Sequence, residues 1–389
     1  MAAMVQTGLD VLAASGFERL RGLRVALLCN QASIAGDYRH SMDLFADAQA
    51  RGVLTVAAVF GPQHGLWGHT QDNMIEWDGF RDPRTSFLVH SLYGVYRQPT
   101  PEMLKGVEAF VVDLPDVGAR LYTFLWTMTL CLDACAAAGI PVIVLDRPNP
   151  LSGARVEGPV LNPEFQSFIG RHPVPIRHGM TMAEMARMWN PSVEAVCMEG
   201  WRRGQYFDDT GLPWAPPSPN MPSLDTAIVY PGLCLIEGTN LSEGRGTTRP
   251  FETFGAPFVD GWALCEALNA LRLPGAHFRP TVFEPTFDKH AGALCGGAFL
   301  HVTDRQAFEP VLTGIAVLQE VRRVAGGAFW WKPPPFEYEA EKMPIDILAG
   351  NSWVRRAVDE AWPLSSIRDR LRTEAAAFAP QREAALLYD

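Results

Sequence analysis

Residues 23–60 have the sequence LRVALLCNQASIAGDYRHSMDLFADAQARGVLTVAAVF, with an apolar run at each end and a polar segment between them. The apolar runs, at residues 23–29 and 53–60, have the length and composition of strands that are buried on both faces of a parallel sheet. Residues 41–50 form a predicted helix. Strand, helix and strand in this order predict a parallel α/β unit near the start of the chain.

The same alternation continues beyond residue 100. Residues 107–114 and 140–146 are predicted buried strands, and the apolar helix predicted at residues 123–138 lies between them. Gly139 suits the end of that helix, because a residue without Cβ readily adopts the left-handed conformation found there. Strands alternating with helices at this spacing predict a doubly wound parallel sheet with right-handed crossovers.

From about residue 258 the pattern changes to a mixture of helices and strands that does not alternate regularly. We therefore expect two domains, an α/β domain over residues 1–235 and a smaller α+β domain over residues 236–389. Residues 329–339, FWWKPPPFEYE, are predicted to be an aromatic, Pro-rich loop of the second domain.

Polar side chains follow every predicted strand of the first domain. The carboxyl ends of parallel strands lie on one rim of a sheet, and open α/β sheets bind ligands there. The residues after the four strands are Asn30, Gln31, Gln63, His64, Asp113, Asp116, Asp146, Arg147 and Asn149. The long segment that follows the second strand adds Asp72, Asn73 and Glu76.

Two more polar segments extend this predicted site. Arg177 and His178 precede a helix that starts at Thr181, where Glu184 completes a capping box. The glycine-punctuated loop at residues 237–247 carries Glu237, Asn240, Glu243 and Arg245.

Carboxylates, amides and aromatic rings together are typical of a sugar site. Amides and carboxylates hydrogen bond to hydroxyls, aromatic faces cover the C–H side of a pyranose, and glycoside cleavage usually needs two carboxyl groups. The interleaved aromatic residues include Tyr93 and Tyr122. A metal site from His64, His69 and Asp72 is the rival interpretation, although this spacing is not a recognised ligand pattern. We predict no cofactor and no metal.

Composition excludes several classes of function. The net charge is −10 with no Lys/Arg run, which argues against nucleic-acid binding. No apolar run is long enough to span a membrane, and the first residues lack the pattern of a signal peptide, so a cytoplasmic protein is expected. No dinucleotide-binding, phosphate-binding-loop or hydrolase-elbow motif is present.

Several segments of the chain resemble the NamZ-like exo-β-N-acetylmuramidases, bacterial peptidoglycan hexosaminidases. The matching segments are FGPQHGLWG (60–68), VVDLPDVGARLYTF (111–124), VLDRPNPLSG (144–153), RHGMTMAEMA (177–186), PSPNMPS (217–223), EGTNLSEGRGT (237–247) and PIDILAG (344–350). The resemblance implies a Rossmann-like first domain, a smaller second domain and a site in the cleft between them. It also implies release of MurNAc from the non-reducing end of amino-sugar glycans, as in cell wall recycling.

The resemblance also guides the assignment of roles. Its first block usually has Glu where this chain has Gln63, so the catalytic candidates are Glu76, Asp116, Glu237 and His64. The predicted substrate-binding residues are Asn30, Gln63, Asp72, Asn73, Tyr93, Arg120, Tyr122, Arg147, Asn149, Arg177, His178, Asn220, Asn240, Glu243 and Arg245. Because of Gln63, a carbohydrate-binding protein without catalysis is an alternative, as is a metal-dependent hydrolase.

Overall fold

A computed structural model describes residues 4–72 and 74–389. The strands of this part of the chain are β1 (Arg24–Cys29), β2 (Thr55–Gly61), β3 (Phe80–Arg81), β4 (Leu88–Ser91), β5 (Ala109–Asp113), β6 (Val142–Leu145), β7 (Glu157–Val160), β8 (Pro175–Arg177), β9 (Glu194–Val196), β10 (Thr253–Ala256), β11 (Ala276–Phe283) and β12 (Cys295–Val302). Its α-helices are α1 (Gly8–Ala14), α2 (Ser41–Ala50), α3 (Phe124–Ala138), α4 (Met182–Trp189), α5 (Leu224–Leu233), α6 (Gly261–Ala270), α7 (Pro310–Ala325), α8 (Pro344–Ala349), α9 (Trp353–Asp359) and α10 (Leu364–Glu383).

The largest sheet has seven strands in the order β3-β4-β2-β1-β5-β6-β9. All its neighbouring strands are parallel except β3 and β4, which are antiparallel. The chain moves outward from β1 to β2 and then returns to add β5 on the other side of β1, so the winding reverses between β1 and β5. The predicted α/β class with a Rossmann-like sheet is confirmed.

The central strands are apolar because both of their faces are covered. Leu27 of β1 lies between Val59 of β2 and Val111 of β5, and all three side chains are fully buried. Gly139 ends α3 with a φ of 68°, and the capping box of Thr181 and Glu184 starts α4, as predicted. Local sequence therefore determines where these helices begin and end.

The second domain is built around a three-stranded antiparallel sheet in the order β10-β12-β11. Helix α6 packs on β11 and β12, and α7 packs on α5 and α6. This arrangement confirms a second, smaller domain. The predicted boundary between residues 235 and 236 falls within a short 3-10 helix, Cys234–Gly238, and stays a prediction. Across the residues described, no helix is both long and apolar enough to cross a membrane.

A buried ion pair holds the rim of the large sheet together. The Arg147 guanidinium donates to both oxygens of Asp113, with Nε–Oδ1 at 2.6 Å and Nη2–Oδ2 at 2.9 Å. Its Nη1 also donates to the Ile34 carbonyl oxygen, and the Ser41 hydroxyl donates to Asp113. The pair thus joins the segments that follow β1, β5 and β6.

We expect Arg147→Ala to lower the free energy of unfolding by about 3–5 kcal/mol, because it leaves the buried Asp113 carboxylate without its cation. Urea unfolding would measure the change. The matched control is Arg39→Ala, which removes an exposed ion pair with Asp37 and should cost at most about 1 kcal/mol. Equal effects of the two substitutions would contradict this role for Arg147.

Candidate active site

A cavity lies where the carboxyl ends of β2 and β5 face the second domain. Gln63 and His64 enter it just after β2, and Tyr122 and Thr123 enter it just before α3. Its polar lining residues are Gln63, His64, Tyr122, Thr123, Ser218, Asn220, Tyr230, Glu237, Arg245 and Glu337. Both domains therefore contribute to one site.

The central cation of the cavity is Arg245, which is buried against the ring of Phe251. Its Nη2 donates to Glu237 Oε1 at 2.6 Å, and its Nε donates to Glu243 Oε1 at 3.1 Å. Lys289 Nζ lies 2.7 Å from the other oxygen of Glu243. Burial alone would raise the pKa of Glu243, but Lys289 and Arg245 outweigh it and lower that pKa below its ordinary value. Both carboxylates thus share one guanidinium.

Glu337 also lines the cavity, and within the part of the chain that the structure describes no Lys or Arg forms an ion pair with it. Burial raises its pKa to about 7, and the negative charge of Glu237 contributes to the increase. The Tyr93 hydroxyl donates to Glu337 Oε2 at 3.2 Å, and Gln63 also hydrogen bonds to this carboxyl group. Glu337 therefore keeps its proton in a large fraction of molecules at neutral pH.

His64 also lines the cavity, and its imidazole is neutral. Its Nδ1 is 2.8 Å from the Thr70 carbonyl oxygen, which can only accept, so Nδ1 carries the proton and Nε2 is an acceptor. Burial lowers the pKa of His64 to about 4. The residue has a φ of +70°, and Gly65 follows with +85°, so the backbone turns sharply here. This turn directs the imidazole into the cavity.

Residues 214–222, WAPPSPNMP, form one wall of the cavity, which we call the proline wall. Two side-chain amides fasten it to the segments that follow β1 and β2. Asn30 Nδ2 donates to the Pro217 carbonyl oxygen at 2.9 Å, and Asn220 Nδ2 donates to the Gln71 carbonyl oxygen at 2.7 Å. The predicted site residues Asn30 and Asn220 thus hold the wall, and Asn220 also lines the cavity.

The structure brings eight of the nineteen predicted site residues to this site. Those that line the cavity are Gln63, His64, Tyr122, Asn220, Glu237 and Arg245, while Tyr93 and Glu243 contact lining residues directly. Asp72 is not among the lining residues, and Asn73 lies outside the residues that the structure describes.

The catalytic candidate Glu76 is outside the cavity lining. Its side chain is 53% exposed and accepts a hydrogen bond from Arg97 Nη2 at 2.9 Å. The hydrogen bond from Arg97 lowers the pKa of Glu76, which favours the ionised form and argues against a role as proton donor. The candidate Asp116 lines a different cavity, together with Arg147, and contacts His178 at 3.1 Å.

The remaining predicted residues support the backbone around the site. Arg120 is fully buried and donates to the carbonyl oxygens of Leu348 and Ala349, both at 3.0 Å. The other bonds of this kind are Asn149 to Met180, Arg177 to Leu151 and Asn240 to Ala328. These side chains occupy the right regions of the chain but are not among the residues that line the cavity.

Sequence reasoning missed Glu337. It belongs to the Pro-rich loop at residues 329–339, and both Glu337 and Tyr338 have positive φ angles, of 46° and 67°. A lone Glu between two aromatic residues was the available signal. As for the rival metal interpretation, the described residues contain no group of three or more His, Cys, Asp or Glu side chains that could hold an ion.

Comparison with known proteins gives consistent matches over nearly the whole chain. Residues 25–225 match the model of the N-terminal domain of the exo-beta-N-acetylmuramidase NamZ, and residues 228–388 match its C-terminal domain. A Bacillus subtilis (strain 168) protein, the peptidoglycan beta-N-acetylmuramidase NamZ, is 42% identical over 390 residues, which cover 99% of this chain and 91% of that protein.

Two crystal structures of DUF1343 family proteins from Bacteroides fragilis NCTC 9343 have the same fold. The first is 29% identical with a TM-score of 0.87, covering 99% of both chains. The second is 26% identical with a TM-score of 0.78, covering 100% of this chain and 99% of that chain.

We expect carbon-13 NMR of glutamate-labelled protein to show a carboxyl group that titrates near pH 7 and disappears in Glu337→Gln. Glu157 is the matched control, because burial raises its pKa to about 7 as well, so Glu157→Gln should remove a different signal. The hydrogen bond from Tyr93 stabilises the Glu337 carboxylate and lowers its pKa. Tyr93→Phe removes this bond and should therefore shift the Glu337 titration midpoint to higher pH. An ordinary midpoint for Glu337 would refute the assignment.

Proposed function

The chain belongs to the exo-beta-N-acetylmuramidase NamZ family, and we propose that it removes N-acetylmuramic acid from the non-reducing end of peptidoglycan-derived glycans. It is a glycosidase acting on MurNAc-containing glycans, and neither a non-catalytic sugar-binding protein nor a metal-dependent hydrolase is favoured. The observation that carries the proposal for the site is the pairing of Glu237 and Glu337 in one buried cavity with different charge states.

Glycoside cleavage needs one carboxyl group that gives a proton and one that is charged. Glu337 supplies the first role, because its environment keeps it protonated near neutral pH. Glu237 supplies the second, because Arg245 balances its charge at 2.6 Å. Two carboxyl groups whose surroundings separate their protonation states are the usual arrangement for acid and base roles in one site.

In the proposed reaction Glu337 donates its proton to the glycosidic oxygen as the bond to the anomeric carbon breaks. The positive charge that develops on the sugar ring is stabilised by the Glu237 carboxylate. Water then adds to the anomeric carbon, and its proton passes to a carboxylate of the site, so the products are the free sugar and the shortened glycan. The neutral His64 presents Nε2 as an acceptor for a sugar hydroxyl.

Gln63 fits this scheme as a positioning residue. Its Oε1 accepts a hydrogen bond from the Thr123 hydroxyl at 2.7 Å, and its side chain also bonds to Glu337. A carboxylate at this position would add a second negative charge to that of Glu237, beside the protonated Glu337. The amide instead orients the acid without adding charge, so the departure from the family's usual Glu is compatible with catalysis.

We expect purified protein to release MurNAc from MurNAc–GlcNAc and the chromophore from a chromogenic MurNAc glycoside. On a longer glycan, chromatography at successive times should first show free MurNAc and the glycan shortened by that one sugar. Shorter products should accumulate only later. The control is the matching GlcNAc glycoside, which should be cleaved far more slowly. Absence of release from both MurNAc substrates between pH 4 and 9 would overturn the proposed function.

We expect Glu337→Gln to reduce kcat by about 10²–10⁴-fold, because the site loses its proton donor. In the unmodified protein kcat should fall as the pH rises through about 7, where Glu337 loses its proton, and the variant should lack this alkaline limb. Glu237→Gln should reduce kcat and keep the limb, but at lower pH, because the negative charge that helps to raise the Glu337 pKa is removed. Glu76→Gln is the control and should change kcat less than twofold; a large loss there would restore Glu76 as the acid.

A further inference from the structure

A second cavity lies at the other side of the proline wall. It is bounded by the segments that follow β1, β5 and β6, including Ile34, Pro115 and Pro148. The winding of the large sheet reverses between β1 and β5, and crevices at such reversals are where open α/β sheets bind small molecules. We call this space the switch-point cavity.

The walls of the switch-point cavity are mostly apolar and rigid. Phe207 and Trp214 pack edge to face with ring centroids 5.1 Å apart, and Leu212 lies nearby. Prolines contribute much of the remaining surface, namely Pro115, Pro148, Pro150, Pro213 and Pro217. Such walls are complementary to a flat or compact apolar body.

Asp116 is a polar residue of this cavity, and only one of its two carboxylate oxygens has partners in the protein. Its side chain is 4% exposed, and its Oδ2 accepts the Gly118 N–H at 2.8 Å and contacts His178 Nε2 at 3.1 Å. Its Oδ1 is buried and has no hydrogen-bond partner among the residues described. A buried carboxylate oxygen without a donor is costly, and a ligand N–H or O–H would satisfy it.

Charge in the switch-point cavity favours a cationic ligand. His178 Nδ1 accepts the Met180 N–H at 3.2 Å, which leaves Nε2 next to Asp116 Oδ2. The other charged lining residue, Arg147, is already balanced by Asp113. Among the described residues, no Lys or Arg is paired with Asp116, whose partner is the His178 ring.

We propose that the switch-point cavity is a second ligand site, separate from the glycosidase site, that binds a small amine with a flat apolar body. The ammonium group bonds to Asp116 Oδ1, and the apolar body packs against Trp214, Phe207 and the surrounding prolines. The proline wall separates the two sites, since Pro217 lines this cavity while Ser218 and Asn220 line the other. The inference does not depend on which carboxyl group of the glycosidase site is the acid.

The test uses fluorine NMR with 4-fluorobenzylamine as the probe and 4-fluorotoluene as the probe without a donor. The amine should show saturable line broadening, and 4-fluorotoluene should bind at least about tenfold more weakly, as expected for loss of one charged hydrogen bond. Asp116→Asn should weaken binding of the amine by a similar factor. Asp133→Asn, the same change at an exposed position, is the matched control and should have no effect.

A second variant tests the proposal independently, in case Asp116→Asn does not fold. Ala215 lines the cavity and is only partly buried, so Ala215→Phe fills the space without disturbing the core and should abolish binding of the amine. Excess MurNAc should not displace the probe. Equal binding of both probes, binding unchanged in Ala215→Phe, displacement by MurNAc or no binding at all would each overturn the proposal.

Discussion

The charge balance around Arg245 is the constraint on which the site depends. One guanidinium contacts two buried carboxylates, Glu237 and Glu243, and Lys289 supports only the second of them. No described cation is paired with Glu337, the next carboxyl group of the cavity, so burial keeps that group protonated near neutral pH. Burial of one carboxyl group and ion pairing of the other thus distinguish the proposed acid from the proposed base.

The same balance requires that the two domains remain packed together. Gln63 and Tyr93 come from the first domain, while Glu337 and Glu237 come from the second. Tyr93 bonds to Glu337 across 244 positions of sequence, and Asn30 and Asn220 fasten the proline wall between the parallel sheet and the cavity. The proposed acid therefore acquires its raised pKa only in the assembled structure.

Much of the fold was predictable because its signals are local. The apolar runs of β1, β2, β5 and β6 and the helix ends at Gly139 and Thr181 depend on neighbouring residues only, and the rim of the sheet follows from them. The roles of single carboxylates were not predictable. Glu76, Asp116 and Glu337 differ through burial and through partners far away in sequence, and a Pro-rich loop gave no indication that Glu337 would turn inward.

The proline wall has a consequence for how substrate fit is maintained. Pro216 and Pro217 have no N–H, so their carbonyl oxygens, which accept from Gln31 and Asn30, provide the attachment. Prolines also restrict the unfolded chain, which lowers the entropy lost when this segment becomes ordered. A wall that is already stiff before a ligand arrives selects ligands by shape at little energetic cost. A displacement of this wall would enlarge one cavity and shrink the other.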